Sequence, residues 1–452
     1  MSEHELDIKP LIDTAPLGRF QIRVLLLCAL IVISDGYDAA AAGFVGPSLL
    51  SVLHVSPAML GTIFAASGLG MFVGALTLGY LADKIGRKSV MLISITFFGI
   101  FTFLTALTTS IDMIVFYRFM TGIGLGGCMP MVTTMSAEYV PARLRHAVVT
   151  YVALGFTVGA IIASIVATSL LATLGWPIMF YTGGIASLIL LPVAWLALPE
   201  SISWLAVRGR DDARVRGLLA RVLPKHAVPS NTRLVYREEK APGMTVAHLF
   251  RDGRAKVTLL FWLVFAMNLL SVYFLGNWLT TLTHGAGFPL QTATILPAIQ
   301  SVGAIIGTLA VGLMISRMNG YVVLCCYYLG AAISLVFLGY FGAQPAPIMV
   351  AAFFAGWFVI GSQYGANALA AAYYPTFIRS SGVGWALGVG RAGNIVGPII
   401  GGVMLGTGWS IAIIWFVSAV APTIAAFAII GVRAAIVGSR NTMRDATPAM
   451  IK

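Results

Sequence analysis

Four charged side chains lie within long apolar runs of the sequence. Asp35 and Asp38 are three residues apart, so a helix would place both carboxylates on the same face. Arg118 and Arg391 lie in two other apolar runs. A carboxylate beside a guanidinium in an apolar interior can exchange protons. Burial raises the pKa of the carboxyl group and the neighbouring positive charge lowers it, so small rearrangements can change its protonation. The arginine stays charged, so the aspartate would be the member that titrates.

The apolar runs around these charges are long enough to cross a membrane. Of the 452 residues, 59% are apolar and only 10% are charged, whereas a soluble domain carries about 25% charged residues. About 20 apolar residues span the hydrocarbon core as a helix. We therefore predict an all-α membrane protein with twelve transmembrane helices, at roughly 22–46, 58–82, 89–108, 112–134, 146–172, 176–198, 256–280, 293–316, 321–341, 346–371, 381–405 and 409–435.

Basic residues in the loops predict the orientation of these helices. One set of loops contains no Lys or Arg, at 47–57, 109–111, 173–175, 281–292, 342–345 and 406–408. The loops on the other side of the membrane and both termini hold nearly all of the Lys and Arg residues. Loops rich in Lys and Arg remain in the cytoplasm. Both termini are therefore expected in the cytoplasm. The net charge of +12 then reflects topology, and nucleic-acid binding is not expected.

Matching features at a constant offset divide the chain into two halves. Pro141 and Arg145 correspond to Pro375 and Arg379, each 234 residues later. Because each half has an even number of helices, the two copies form a parallel repeat. The connection between them either forms short amphipathic helices or is a plain solvated linker. We predict an N-terminal six-helix bundle, a cytoplasmic linker and a C-terminal six-helix bundle, at 1–198, 199–255 and 256–452.

The predicted depths of Asp38 and Arg118 allow them to form a pair. At 1.5 Å per residue, Asp38 lies roughly 20 Å above the cytoplasmic end of the first helix, and Arg118 about 10 Å below the outer surface. These depths coincide in a hydrocarbon core about 30 Å thick. Asp35 lies one turn away, and one arginine does not neutralise two carboxylates. The charges are interpreted as proton-coupling groups, and a static ion pair that locks two helices is the alternative.

Arg391 lies about 15 Å into the eleventh helix, near the membrane midplane. No Asp or Glu occurs in the last six helices, so we expect its partner to be an incoming carboxylate, which a guanidinium binds with two hydrogen bonds. Neighbouring carbonyl groups are the alternative partners. An aromatic residue taken alone more often packs or faces lipid than contacts a ligand. The expected substrate-binding set is Arg391 with Asn268, Gln363, Tyr364, Asn367, Tyr37 and Trp385.

Other kinds of chemistry have little support in the sequence. The six histidines lie in tails, loops or helix ends, and the four cysteines show no metal-ligand or disulfide spacing. No enzyme activity, metal or cofactor is therefore expected. A lone arginine near the midplane favours an anionic substrate over a cationic drug. A carrier of another small organic acid or a sugar, and a drug/proton antiporter, are the alternatives.

Several motifs resemble those of the major facilitator superfamily. Residues 79–88 (GYLADKIGRK) resemble its loop signature, residues 118–126 (RFMTGIGLG) its fourth-helix motif, and residues 199–201 (PES) the motif that closes helix six. Within the superfamily, residues 35–38 (DGYD) and the segment 374–391 are similar to those of the aromatic acid:proton symporters. The resemblance covers essentially the whole chain.

The resemblance implies the major facilitator fold and a function. The substrate would be an aromatic carboxylate such as a hydroxybenzoate, taken up with protons by alternating access and destined for aromatic catabolism. The carrier would be a monomeric, multi-pass protein of the bacterial inner (plasma) membrane. Asp38 and Asp35 would carry protons, with Arg118 tuning Asp38. The implied cytoplasmic gate consists of Asp83, Arg87, Glu138 and Arg145.

Overall fold

The fold is almost entirely helical. A computed structural model describes residues 5–208, 212–223, 232–236, 246–251, 253–341, 344–375 and 378–446. The elements up to the middle of the chain are β1 Glu5–Asp7, α1 Ile8–Thr14, α2 Arg19–Val52, α3 Pro57–Ile85, α4 Arg87–Leu107, α5 Ile111–Glu138, α6 Ala142–Leu174, α7 Pro177–Ala197, α8 Ile202–Arg208, α9 Asp212–Val222 and β2 Arg233–Val235. A 3₁₀ turn at Val246–Leu249 precedes the rest, α10 Ala255–Gly285, α11 Leu290–Arg317, α12 Gly320–Tyr340, α13 Pro345–Ala355, α14 Gly361–Tyr373, α15 Arg379–Gly406, α16 Ile411–Ser418 and α17 Val420–Ala446.

Twelve helical segments of the described chain are long and apolar enough to cross a membrane. In hydrocarbon every backbone N–H and C=O group needs a partner within the protein, and a helix supplies these partners along its own length. Two of the spans contain more than one element, because α13 and α14 follow each other without a loop and α16 continues into α17. The twelve predicted helices are confirmed, and the chain is a multi-pass membrane protein.

The chain divides into two compact units. The first consists of Met1–Ala41, Ala66–Ala163 and Leu174–Lys240, and the second of Ala42–Ala65, Ser164–Thr173 and Ala241–Lys452. The predicted division into 1–198, 199–255 and 256–452 follows the sequence repeat and stays a prediction. Parts of the 199–255 connection lie outside the described residues, at 209–211, 224–231, 237–245 and 252.

In the first unit, α2 packs closely against α6. A Cβ atom placed on Gly36 of α2 would lie 2.0 Å from the carbonyl oxygen of Phe156 on α6. Small residues let two membrane helices approach with their backbones almost in contact. Gly36 lies between Asp35 and Asp38, so this contact holds the helix turn that carries both carboxylates.

The first unit also contains a short ordered segment before its first membrane helix. Strand β1 pairs in parallel with β2, with Glu5 opposite Arg233. Helix α1 follows directly and buries Ile8 and Ile12 in the core of the unit. The central connection contributes β2 and the short helices α8 and α9 to the same unit.

In the second unit, α10 runs beside α15. Gly393 of α15 faces α10 so closely that a Cβ atom there would lie 2.5 Å from the carbonyl oxygen of Ala266. Farther along, Trp278 Nε1 of α10 donates a hydrogen bond of 3.1 Å to the carbonyl oxygen of Pro398. This packing fixes the position of α15, which carries Arg391.

A π-helical turn at Gly356–Ile360 joins α13 to α14. Such turns add a residue to the helical repeat and often occur at functional sites. Here Gly356 packs against α11, where a Cβ atom would lie 1.8 Å from the carbonyl oxygen of Gln300. The turn rotates α14 relative to α13 and thereby sets the directions of Gln363 and Asn367.

Candidate functional site

The structure brings Asp38 of α2 and Arg118 of α5 together in the first unit. Both side chains are 1% exposed, and Arg118 Nη1 lies 3.3 Å from each carboxylate oxygen of Asp38. Arg118 Nη2 donates to the backbone oxygen of Asp38 at 3.4 Å. The hydroxyl of Thr102 on α4 donates to Asp38 Oδ1. The carboxylate is therefore held from two helices.

An aromatic ring also lies beside the pair. The guanidinium carbon of Arg118 lies 5.4 Å from the ring centroid of Phe180 on α7, a distance at which a cation is attracted to an aromatic face. In an ion pair this deeply buried, each charge depends on the other. Removing one charge leaves the other buried without compensation, which costs about 3–5 kcal/mol. A proton on Asp38 would remove one charge in the same way.

The residues that flank Asp38 on α2 are also buried. Asp35 is fully buried and lies close enough to Cys128 of α5 for an electrostatic interaction. The Tyr37 hydroxyl shares a 2.5 Å hydrogen bond with the hydroxyl of Thr182 on α7, and its ring lies against Gly183. The contribution of Tyr37 to substrate binding stays a prediction.

In the second unit, three helices bring predicted substrate-binding residues to one level. Asn268 of α10 donates from Nδ2 to Gln363 Oε1 of α14 at 2.5 Å. The neighbour of Asn268, Leu269, lies against Gly390 of α15, with its Cδ1 2.8 Å from a Cβ atom placed there. Arg391 follows Gly390 and is half-buried. Helices α10, α14 and α15 thus carry Asn268, Gln363 and Arg391 at the same height.

Aromatic side chains lie on the same helices as these residues. Tyr364 is half-buried and follows Gln363 on α14. Trp385 of α15 is 46% exposed and stacks on Trp262 of α10, with ring centroids 6.2 Å apart. The stack lies between one and two helical turns from Arg391, counted along α15.

At one end of the first unit, Arg87 and Glu138 form an ion pair. The hydroxyls of Ser201 and Ser203 each donate a 2.6 Å hydrogen bond to the Glu138 carboxylate. Arg87 Nη1 lies 3.0 and 2.9 Å from the same two hydroxyl oxygens. We call these four residues the Arg87–Glu138 cluster.

A second carboxylate in this region, that of Glu200, binds backbone groups. Glu200 Oε1 accepts hydrogen bonds from the backbone nitrogens of Lys88 and Ser201, at 3.0 and 2.9 Å. The Tyr139 hydroxyl donates to the backbone oxygen of Glu200 at 2.6 Å. Burial raises the pKa of Tyr139, so the hydroxyl keeps its proton and remains a donor.

The side chains of the other two predicted gate residues do not join this cluster within the described part of the chain. Arg145 forms an ion pair with Asp13 of α1 and donates from Nε to the carbonyl oxygen of Ala137 at 2.9 Å. Asp83 is exposed, and its carboxylate forms no ion pair with any residue that the structure describes. In this conformation, Arg87 and Glu138 are the two predicted gate residues that pair with each other. The gate of four residues stays a prediction.

Comparison with known proteins identifies the family. Residues 28–340 match the family model described as the Major Facilitator Superfamily. The chain belongs to the major facilitator superfamily. The structure agrees, because the fold resembles that of the xylose transporter XylE from E. coli in a partially occluded, inward-open conformation, with a TM-score of 0.71 at 18% identity over 90% of this chain and 98% of that one. The predicted fold is thereby confirmed.

Two relatives are similar along nearly their whole length. The "4-hydroxybenzoate transporter PcaK" of Acinetobacter baylyi is 37% identical over 94% of this chain and 93% of its own. The "Gallate transporter" of Pseudomonas putida is 34% identical over 94% of each chain. The superfamily and these relatives are transporters, so this protein is a transporter and not an enzyme, as expected from the sequence. Within the described ranges, no group of three or more His, Cys, Asp or Glu side chains is placed to hold a metal ion.

Several contacts of this superfamily member were not found from its sequence. Thr102 and Phe180 contact the Asp38–Arg118 pair, but a threonine or phenylalanine in an apolar span carries no distinguishing pattern. Ser201 belongs to the recognised motif at residues 199–201, and that motif was the available signal for its contact with Glu138.

Gly86 offers a direct test of the loop between α3 and α4. Its φ of +99° is a conformation that other residues rarely adopt, and a Cβ atom there would lie 2.4 Å from Glu200 Oε2. We expect Gly86→Ala to lower the free energy of unfolding in detergent by about 1–3 kcal/mol. The matched control is Gly79→Ala in α3, where a Cβ atom meets nothing within 4 Å. Equal melting temperatures for the two variants would contradict the assigned strain.

Proposed function

We propose that this transporter takes up an aromatic carboxylate, such as a hydroxybenzoate, together with protons across the bacterial inner membrane. The relatives support the substrate class, because they are named for 4-hydroxybenzoate and gallate and are 34–37% identical along almost the entire chain. Uptake proceeds by alternating access, in which a binding site opens to one side of the membrane and then to the other.

The observation that carries the proton coupling is the buried pair of Asp38 and Arg118. A proton on Asp38 cancels its charge and leaves Arg118 without a counter-ion, so the two protonation states favour different arrangements of α2 and α5. Asp35 lies one turn away, fully buried, and takes part in the same proton transfer.

In this proposal Arg391 binds the substrate carboxylate. A guanidinium matches a carboxylate with two parallel hydrogen bonds, and the last six spans contain no acidic side chain that could compete for it. The amides of Asn268, Gln363 and Asn367 bind polar ring substituents. The aromatic rings proposed to contact the substrate ring are those of Tyr37, Tyr364 and Trp385.

The remaining features of the proposal concern topology and gating. Loops without Lys or Arg support an orientation with both termini in the cytoplasm. Two six-helix halves, 1–198 and 256–452, follow from the repeat, and the working unit is a monomer. The Arg87–Glu138 cluster then lies on the cytoplasmic side, where Asp83 and Arg145 join it when the inner gate closes.

Uptake of labelled 4-hydroxybenzoate into proteoliposomes tests the proposal. With the outside more acidic, we expect the label to rise above its external concentration and to fall again when an ionophore collapses the pH gradient. Empty liposomes are the necessary control, because an uncharged aromatic acid crosses a bilayer unaided. Equal uptake with and without protein, for a panel of monocyclic aromatic acids, would refute the proposed function.

A further inference from the structure

Helix α14 carries two amide side chains one turn apart, Gln363 and Asn367. Gln363 Nε2 and Asn367 Oδ1 are shielded from solvent, and neither has a hydrogen-bond partner among the described residues. A buried polar atom without a partner costs stability, so proteins rarely keep one without a use. One of these atoms is a donor and the other an acceptor.

The orientation of the Gln363 amide follows from its hydrogen bond with Asn268. The Ser362 hydroxyl lies 2.6 Å from Asn268 Oδ1, to which it donates, and Asn268 Nδ2 donates to Gln363 Oε1 at 2.5 Å. The oxygen of the Gln363 amide is therefore occupied, and its NH₂ group is the one left over. The Ser362 hydroxyl has one proton, which it shares between Asn268 Oδ1 and the carbonyl oxygen of Val359 in the π-helical turn, 2.8 Å away.

The positions of Gln363 and Asn367 on α14 suit a hydroxyl group of a ligand. Residues four apart on a helix have Cβ atoms about 5–6 Å apart on the same face. An oxygen atom placed between them can lie at about 2.8–3.0 Å from both atoms. To satisfy both, it must accept a hydrogen bond from Gln363 Nε2 and donate one to Asn367 Oδ1. A hydroxyl does both, whereas an ether oxygen only accepts and a ring hydrogen does neither.

We propose that Gln363 and Asn367 recognise a ring hydroxyl of the substrate and thereby make the transporter selective for hydroxylated aromatic acids over unsubstituted ones. This inference rests on the proposed function, because it assumes that an aromatic carboxylate binds near Arg391. Ser362 is a positioning residue. Together with Asn268, which is also proposed to contact the substrate, it holds the Gln363 amide in the donating orientation. A site built to bind a hydroxyl rejects the analogue without it, since the polar atoms of the site are then left unpaired.

The test measures the Kd of the purified protein for benzoate, the three monohydroxybenzoates and their methoxy counterparts. We expect at least one hydroxybenzoate to bind about tenfold or more tighter than benzoate. The methoxybenzoate with its substituent at the same ring position has an acceptor oxygen but no donor. Its Kd should lie between those of the hydroxybenzoate and benzoate. Asn367→Leu should remove the difference in Kd between hydroxy and methoxy ligands. Gln363→Leu should remove the difference in Kd between methoxy and unsubstituted ligands.

Two controls separate recognition from a structural role. Gln291→Leu makes the same change at an exposed position of α11 and should leave all affinities unchanged. Asn367→Leu should not lower the melting temperature of the empty protein, because it removes an acceptor that has no partner. A loss of melting temperature with unchanged ligand discrimination would show that Asn367 is structural and would overturn the inference.

The outcomes also distinguish the inference from the function on which it rests. If the protein binds benzoate and all hydroxybenzoates with equal affinity, the inference is wrong and the proposed function stands. If it binds none of these ligands, both are wrong. Equal effects of Asn367→Leu on every ligand would likewise overturn the hydroxyl assignment.

Discussion

Asp38→Asn is expected to abolish proton-driven accumulation of substrate while exchange of substrate across the membrane survives. Asparagine keeps the shape of the side chain and can still accept a hydrogen bond from Arg118, but it cannot carry a proton. One pH unit is worth 1.36 kcal/mol for each proton, so the wild type should accumulate a substrate anion about tenfold per pH unit for each proton carried with it. The variant should reach equal concentrations on both sides.

Accumulation and counterflow in the same proteoliposomes check this result. Counterflow is measured with equal pH on both sides, where no proton gradient is needed. The control Asp112→Asn makes the same change at an exposed position in the first turn of α5 and should leave both activities intact. Undiminished accumulation by Asp38→Asn would exclude Asp38 as the proton carrier.

Arg391→Ala is expected to weaken binding of the substrate carboxylate by roughly a hundredfold. Truncating one member of a buried, hydrogen-bonded charge pair costs about 2–5 kcal/mol, and each 1.4 kcal/mol is about a factor of ten in Kd. Arg391→Lys keeps the charge but loses the two-pronged geometry, so it should recover only part of the affinity.

An uncharged analogue of the substrate is the control for the role of Arg391 in binding the anion. A neutral carboxamide analogue makes no ion pair, so Arg391→Ala should change its Kd far less than that of the acid. Arg433→Ala, at an exposed position of α17, should change neither value. An equal loss of affinity for acid and amide would mean that Arg391 shapes the site rather than binding the anion.

The membrane helices were predictable because their signal is physical and local. An apolar run of about 20 residues has no other stable form in hydrocarbon than a helix. The proximity of Asp38 and Arg118 was also accessible, since depth along two helices depends only on residue counts. The π-helical turn at Gly356–Ile360 was not, because it depends on the packing of Gly356 against α11.

The partners of the gate residues show where sequence reasoning stops. The motif resemblance placed Arg145 in one network with Asp83, Arg87 and Glu138, but in this conformation it pairs with Asp13. That aspartate lies 132 residues earlier, in a segment before the first span. No periodicity links residues so far apart, so only the packing of α1 reveals the contact.

Strand β1 has a consequence for how the protein is made. Its partner β2 lies about 230 residues farther along the chain, so at roughly 5–20 residues per second the ribosome needs about 10–45 s to supply it. Until then Ile8 and Ile12 lack part of their final surroundings, although six spans have already been synthesised. The segment with β1 precedes all the spans in the sequence, yet it is among the last parts of its unit to be completed. A fragment that stops after the sixth span would leave β1 unpaired.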